Sequence, residues 1–394
     1  MKIELVEMEY MNHFKLKCIS CEKEFEPEKG LYYCPECGQI MGTLVVLYDY
    51  PNIKVSRDSF NKRGSISQFE ALLPVKNLSR VADAVGGTPL LKFEHVFGMK
   101  SVFIKNDGMN LSASFKDRAS LVAVNMALAE GYDKIFCAST GNAASSLALV
   151  SASSPLETVI FVPKSIPSGK LAQLKAAGVE VRIIDGNYDE AFDMSLEVGL
   201  QAGWYCRNSA INPYNLEGKK TAAFEILVQM DYDVPDYCFV GVGDGTVVSS
   251  LVKGFDEFKK IGLVDKTPVV IGVQASGAAT LKKVFDSGEP FTPIREEVHT
   301  LADSISVGYP RDVIKACKFL KASGGNLIAA SDASIQRAIK AMATETGVFA
   351  EPAGAIALAG LWQLLDAGTI RKDDKVVLVV TGNGLKDPGA LGGA

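Results

Sequence analysis

The chain is 394 residues long, enough for two domains and a small appendage. Hydrophobic residues make up 47% and charged residues 22%, which supports a sizeable core and excludes a disordered chain. The net charge of −5 gives no reason to expect a nucleic-acid or anionic-membrane partner, and Met1 to Lys17 contains no signal-peptide core, so a cytoplasmic protein with reduced thiols is expected.

Residues 1–50 read as a unit of their own. Cys18-x2-Cys21 and Cys34-Pro35-Glu36-Cys37-Gly38 are two CxxC knuckles separated by a charged, hairpin-like segment. Two close pairs of soft thiolates match a tetrahedral zinc ion, and four thiolates would close its coordination sphere, as in a structural zinc ribbon. The competing reading is metal-free: reduced thiols or a labile disulfide. The other four cysteines, Cys137, Cys206, Cys238 and Cys317, lie in apolar or helical contexts and read as small core residues. Residues 52–77 look irregular, with one helical turn near Phe69 to Leu73.

The apolar run Val102-Phe103-Ile104 reads as a strand, and Ala119 to Glu130 as a helix. Between them lies Asn110-Leu111-Ser112-Ala113-Ser114-Phe115-Lys116-Asp117-Arg118. A lysine at such a handover sits among unpaired backbone N–H groups at a positive helix end, where anions bind. If partly desolvated, it can act as a nucleophile or base. The plain alternative is a solvated lysine in a first helical turn.

From about residue 78 the chain alternates β-branched runs with helical stretches. Strands are expected at 134–137, 158–162, 179–184, 237–242, 269–273 and 376–380, and helices at 170–177, 190–202, 221–230 and 334–346. Short buried strands alternating with helices imply parallel sheets and an α/β fold. No apolar run approaches membrane-spanning length. His13, His95 and His299 lie in no catalytic setting, which argues against a hydrolase triad or a histidine metal centre.

In such folds ligands bind where strands end and helices begin. Ser139-Thr140-Gly141-Asn142-Ala143-Ala144 offers hydroxyls and approachable N–H groups for a carboxylate, or is simply a capped turn. Val242-Gly243-Asp244-Gly245-Thr246 suits a phosphate at a helix start, although it is neither a P-loop nor GxGxxG, and Asp244 is expected to point outward. Gly347 to Ala355 ends one helix and starts another, with Pro352 as its first residue. Thr381 to Lys386 follows the last strand. Thr381 can offer a hydroxyl to a ring nitrogen; either segment could equally be a structural turn.

These segments, in this order, together with Gly86-Gly87-Thr88-Pro89-Leu90-Leu91 and Asn212 to Thr221, resemble the fold-type II pyridoxal phosphate enzymes over nearly the whole chain, and among them the threonine synthases most closely. The resemblance implies two parallel-sheet lobes of the tryptophan synthase β-like type: a large cofactor-binding domain (51–115 plus 211–394) with a small inserted domain (116–210), after the ribbon. It implies that Lys116 is the covalent anchor of pyridoxal phosphate and the relay for protons at Cα and Cβ. Asn142 would bond the cofactor's phenolic oxygen. The 241–246 loop (Gly241, Gly243, Asp244, Gly245, Thr246) would receive its phosphate. Thr381 would face the pyridine nitrogen. Ser139 and Thr140, with Ser114, Asn215 and Lys219, would contact an amino-acid substrate. The implied reaction converts O-phospho-L-homoserine and water to L-threonine and phosphate, in a homodimer.

Four departures from the family pattern stand out. Asn110-Leu111-Ser112-Ala113 replaces the usual Asn-Pro-Thr-Gly, and Asn215 stands where an arginine often helps bind substrate phosphate. Lys219 replaces glutamine, and Asn383 a histidine. Asparagine does not replace an arginine fork, so a related enzyme remains open: a serine or threonine dehydratase, or a phosphoserine-dependent synthase. A catalytically silent, partner-binding fold is the reading of a different class, and Lys116, Asn142 and Thr381 oppose it.

Overall fold

The computed structural model describes residues 14–139, 141–166, 168–186 and 188–391. The chain opens with an antiparallel sheet of β1 (Phe14–Cys18), β2 (Glu24–Phe25) and β3 (Leu44–Tyr48), order β2-β1-β3, with the short helix α1 (Gly38–Met41) before β3. Phe14, Leu16 and Cys18 alternate inward while Lys15 stays exposed, the period of a half-buried strand. Next come a 3-10 turn at Ile66–Leu72 and the antiparallel pair β4 (Leu90–Glu94) and β5 (Ser101–Asn106), followed by helix α2 (Lys116–Ala129).

A parallel four-stranded sheet then forms from β6 (Lys134–Ala138), α3 (Asn142–Ser151), β7 (Glu157–Pro163), α4 (Ser168–Ala176), β8 (Glu180–Ile184), α5 (Tyr188–Gln201) and β9 (Tyr205–Cys206), in strand order β8-β7-β6-β9. The chain returns to the first body through α6 (Tyr214–Gln229), β10 (Tyr237–Gly241), α7 (Thr246–Lys260), β11 (Val269–Ala275), α8 (Thr280–Ser287), α9 (Val313–Ser323), β12 (Asn326–Ala330), α10 (Asp332–Thr346), α11 (Pro352–Asp366) and β13 (Val376–Val380). These strands join β4 and β5 in a six-stranded sheet, order β12-β11-β10-β13-β5-β4, parallel except for the β4–β5 edge.

All five residues of β13 are buried, as a central strand covered on both faces requires. Helix α6 is buried from Tyr214 to Val228, between α2 and α7. Its crossing with α2 is so close that a Cβ on Gly218 would collide with the carbonyl oxygen of Arg118, so only glycine fits there. That crossing lies two residues from Lys116 and one from Lys219. The N-terminal sheet docks on the same helix: Phe14 meets Tyr214 edge-on, and Tyr48 donates to Glu217 at 2.7 Å.

Among the described residues no helix is long and apolar enough to cross a membrane. The four scattered cysteines are all buried.

Candidate active site

The carboxyl ends of β5, β10 and β13 in the large sheet, and of β6 in the small one, converge on a cavity of about 250 Å³. Its wall includes Lys116, Ser139, Asn142, Gly241, Gly243, Asp244 and Thr381.

Lys116 is the first residue of α2, and its neighbours fix where it points. Phe115 N donates to Thr381 O at 2.8 Å and Asn383 N to Ala113 O at 3.0 Å, stitching the loop before the lysine to the loop after β13. Asp117 accepts from Ser112 N at 2.6 Å and Ser112 Oγ at 2.5 Å, closing the approach loop onto the first helical turn. Arg118 turns away from the cavity into a buried cluster. It is bidentate to Asp107 (2.6 and 2.9 Å) and bonds Glu225 (2.6 and 2.8 Å), which also accepts from Lys105 at 2.6 Å. The lysine thus faces the cavity while the aspartate and arginine beside it anchor the helix. Burial holds the Lys116 ammonium below its ordinary range, and the Arg207 charge pushes the same way, against the opposing pull of Asp244 and Glu351. A lowered value favours the free amine that a nucleophile or base needs.

The turn after β10 leads into α7. Gly245, its N-cap, has φ +100°, a conformation glycine adopts at little cost, and Thr246 opens the helix. Thr246 Oγ1 and Lys219 Nζ are buried here without a hydrogen-bond partner among the described residues. Burial drives Lys219 down to about 7, with Asp244 and Asp312 pulling up and Lys116 and Arg207 pushing down. An orphaned ammonium and hydroxyl beside a helix N-terminus fit a phosphate group. Asp244 does not point outward as expected from the sequence. Its carboxylate accepts from Thr246 N at 2.9 Å and, despite burial, is held below its usual range by Lys219 and Lys116.

Across the cavity Asn142, the first residue of α3, donates to both oxygens of Glu351 at 3.0 and 2.9 Å, and Thr381 Oγ1 lies 3.5 Å from the same carboxylate. Burial raises Glu351 above the ordinary carboxyl range. Ser139 lines the wall and its hydroxyl accepts from Gly141 N at 3.1 Å. Thr140 lies outside the described residues. Neither Ser114 nor Asn215 is among the described residues that line the cavity. Ser114 is buried with its hydroxyl 3.2 Å from that of Ser112. Asn215 is buried and its side-chain amide donates to the carbonyls of Arg207 (3.0 Å) and Asn208 (3.1 Å).

Three wall residues carried no sequence signal for a site: Arg207, Arg311 and, as an individual residue, Glu351. Glu351 lies in the 347–355 motif, but only the fold brings it against Asn142. The arginines come from loops before α6 and α9, with no spacing that ties them to Lys116.

In the N-terminal unit the sulfurs of Cys18, Cys21, Cys34 and Cys37 lie within 4.8 Å of one another, with Cys21 and Cys34 at 3.8 Å. Ligands about 2.3 Å from a tetrahedral zinc ion are separated by nearly that 3.8 Å, so the donor set fits zinc.

The family model for pyridoxal-phosphate dependent enzymes matches residues 81–382, and the chain belongs to that family. Within it, the chain groups with the threonine synthases. It is 38% identical to the threonine synthase of Methanosarcina acetivorans over 380 residues (95% of this chain, 93% of that protein). It is 39% identical to that of Methanocaldococcus jannaschii over 382 residues, with the same coverage. Against the Mycobacterium tuberculosis H37Rv threonine synthase the identity is 36% over 329 residues, 82% and 89% of the two chains. The fold is also that of the processed threonine deaminase isoform 2 from Solanum lycopersicum (TM-score 0.67, 24% identity, 79% of this chain and 83% of that one). Diaminopropionate ammonia lyase from Escherichia coli shares it too (TM-score 0.67, 17% identity, 86% and 96%).

Proposed function

We propose that the chain is a pyridoxal phosphate-dependent lyase that converts O-phospho-L-homoserine and water to L-threonine and phosphate. One observation carries the reading. A half-buried lysine at a strand-to-helix junction shares its surroundings with a buried ammonium, Lys219, and a buried hydroxyl, Thr246, that have no hydrogen-bond partner among the described residues, at a glycine turn. The threonine synthase relatives support the choice of reaction.

Lys116 is the residue to anchor the cofactor, and Thr246, Lys219 and the N–H groups of the glycine turn are the residues to hold its phosphate. Asn142 and Thr381 face the cavity where they can bond the ring substituents. When bound, pyridoxal phosphate supplies an electron sink for charge released at the substrate's Cα. Lys116, freed as an amine, takes the Cα proton and then a Cβ proton. The C–O bond at Cγ breaks and phosphate leaves with the electron pair. The two protons return at Cγ and Cα, and water adds hydroxyl at Cβ, its remaining proton leaving with phosphate. Ser139 and the N–H groups at the start of α3 hold the α-carboxylate. The four cysteines of the N-terminal unit hold a structural zinc ion, and the enzyme works as a cytoplasmic homodimer.

The decisive experiment incubates the cofactor-loaded enzyme with O-phospho-L-homoserine and measures threonine and phosphate, expected in equal amounts. Lys116→Ala should reduce turnover by at least about 10³-fold. An inert phosphohomoserine, with serine or threonine giving a keto acid and ammonia, would establish the dehydratase reading instead. Metal analysis should find about one zinc per chain.

A further inference from the structure

On the activity just proposed, the cavity takes two phosphates, the cofactor's at the glycine turn and the substrate's elsewhere. We propose that Arg207 and Arg311, neither assigned by the sequence motifs, form the subsite that binds the substrate's phosphate and sets the preference for a phosphorylated amino acid.

Both arginines line the cavity, and both are buried, Arg207 fully and Arg311 to within 7%. Arginine does not shed its proton, so each brings a permanent positive charge to the cavity wall. Planar guanidinium forks match phosphate oxygens in pairs. Arg207 is held from one edge, its Nε and Nη2 donating to Ser120 Oγ at 3.2 and 3.1 Å. Its backbone is braced from below by the two Asn215 hydrogen bonds, and the loop continues through Ala210 at φ +66°. Asn215 is therefore a positioning residue for Arg207 rather than a contact to substrate.

Arg311 approaches from the other body. Its guanidinium stacks 3.8 Å from the Phe192 ring centroid, and Nη2 lies 3.1 Å from Asp189 Oδ1 and 3.5 Å from Asp193 Oδ1. Phe192, Asp189 and Asp193 all belong to α5, so Arg311 ties the long segment before α9 to the small sheet's helix at the cavity wall. The hydroxyl of serine or threonine offers one neutral acceptor, whereas a phosphate ester offers charged oxygens to both guanidiniums.

The test uses cofactor-loaded wild type, Arg207→Gln, Arg311→Gln and Arg207→Lys. Each glutamine variant should raise KM for O-phospho-L-homoserine by about 10- to 100-fold, the range for a lost charge-assisted hydrogen bond. Arg207→Lys should recover part of the loss as a point charge. Affinity for L-threonine, which lacks the phosphate, should stay within about 3-fold of wild type when followed through the cofactor's absorbance. Unchanged KM in both glutamine variants overturns the proposal, as does an equal loss of threonine affinity, which marks the arginines as structural. Inorganic phosphate titrated into the holoenzyme, where the cofactor already fills the glycine turn, gives a second measurement. It should bind wild type and be weakened at least about 10-fold in the glutamine variants. Failure of wild type to bind it overturns the subsite. Phosphate binding that depends on both arginines in an enzyme inert toward phosphohomoserine keeps the subsite and overturns the proposed reaction. If Arg207→Gln does not load cofactor, Arg311→Gln and the phosphate titration decide the outcome.

Discussion

Two pairs of near-neighbours separate the buried charges of this protein into two kinds. On α2, Lys116 faces the cavity while Arg118 enters a cluster with Asp107, Glu225 and Lys105, in which two positive and two negative charges meet at hydrogen-bond distance. On α6, Lys219 lies near the cavity with no hydrogen-bond partner among the described residues, while Lys220 pairs with Glu217 and Glu257 at 2.5 and 2.7 Å. The paired members hold the helices; the unpaired ones keep a capacity to bind. A buried ion pair is strongly destabilising to break, whereas an unmatched buried cation is a cost that a bound anion removes. Removing a charge should therefore have opposite consequences in the two regions.

The largest effect on stability is expected in the Arg118 cluster. Burial raises Glu225, but Arg118 and Lys105 outweigh it and hold the carboxyl at about 2, against 4.5 ordinarily. A depressed carboxyl gives stability that is fully present above pH 4.5 and lost as pH falls toward 2. Glu225→Gln should cost about 3–5 kcal/mol in urea unfolding at neutral pH, because it leaves Arg118 and Lys105 buried against Asp107 alone. It should also flatten the acid limb of the stability profile. An unchanged midpoint would show the cluster to be replaceable packing.

Lys219→Met is the contrasting change, with a smaller effect of opposite sign on the empty protein. The folded value of Lys219 is about 7 and the ordinary one 10.5, so between these the unfolded chain binds more protons and stability rises with pH. Methionine should remove that part of the slope and leave the cofactor-free protein at least as stable as wild type at pH 7. Affinity for pyridoxal phosphate should fall about 10-fold or more, as a charge-assisted hydrogen bond of about 1.5–3 kcal/mol is lost. A fall in cofactor-free stability comparable to that of Glu225→Gln would erase the distinction between the two regions.

The same division explains what could be read from the sequence. The α/β class and the strands at 134–138, 157–163, 237–241 and 376–380 were legible because buried parallel strands are continuous β-branched runs. β4 (Leu-Leu-Lys-Phe-Glu), β9 (two residues) and β12 (Asn-Leu-Ile-Ala-Ala) were not: they are edge strands, too short or too mixed to carry that pattern. Lys116 was legible because its chemistry is local, a lysine at a strand-to-helix handover. The inward position of Asp244 was not legible because it depends on Lys219, which lies 25 positions earlier in the chain and whose charge acts on it in the fold. Asn215, expected against substrate, sits instead behind Arg207, bonded to its carbonyl. Arg207 and Arg311 are 104 residues apart in the chain, and only the closing of the small sheet's helix α5 against the segment before α9 gives them a common wall.

The smallest expected effect concerns the backbone that presents Lys116. Ala113 lies three residues before the lysine with φ +60°, in the left-handed region where a Cβ meets the following carbonyl. Ser112 Oγ and N bond Asp117, and Ala113 O accepts from Asn383 N, so both flanks are pinned and the alanine cannot relax without breaking them. Ala113→Gly removes the clash but adds freedom to the unfolded chain. The first term is about 1–2 kcal/mol and the second somewhat under 1, so a net gain of about 0.5–1 kcal/mol is expected in chemical unfolding. Because the pinning hydrogen bonds are unchanged, KM and the cofactor's absorbance should stay as in wild type. A stabilised variant with lowered kcat would show that the strained turn, and not only the Arg118 cluster, holds Lys116 at its working position.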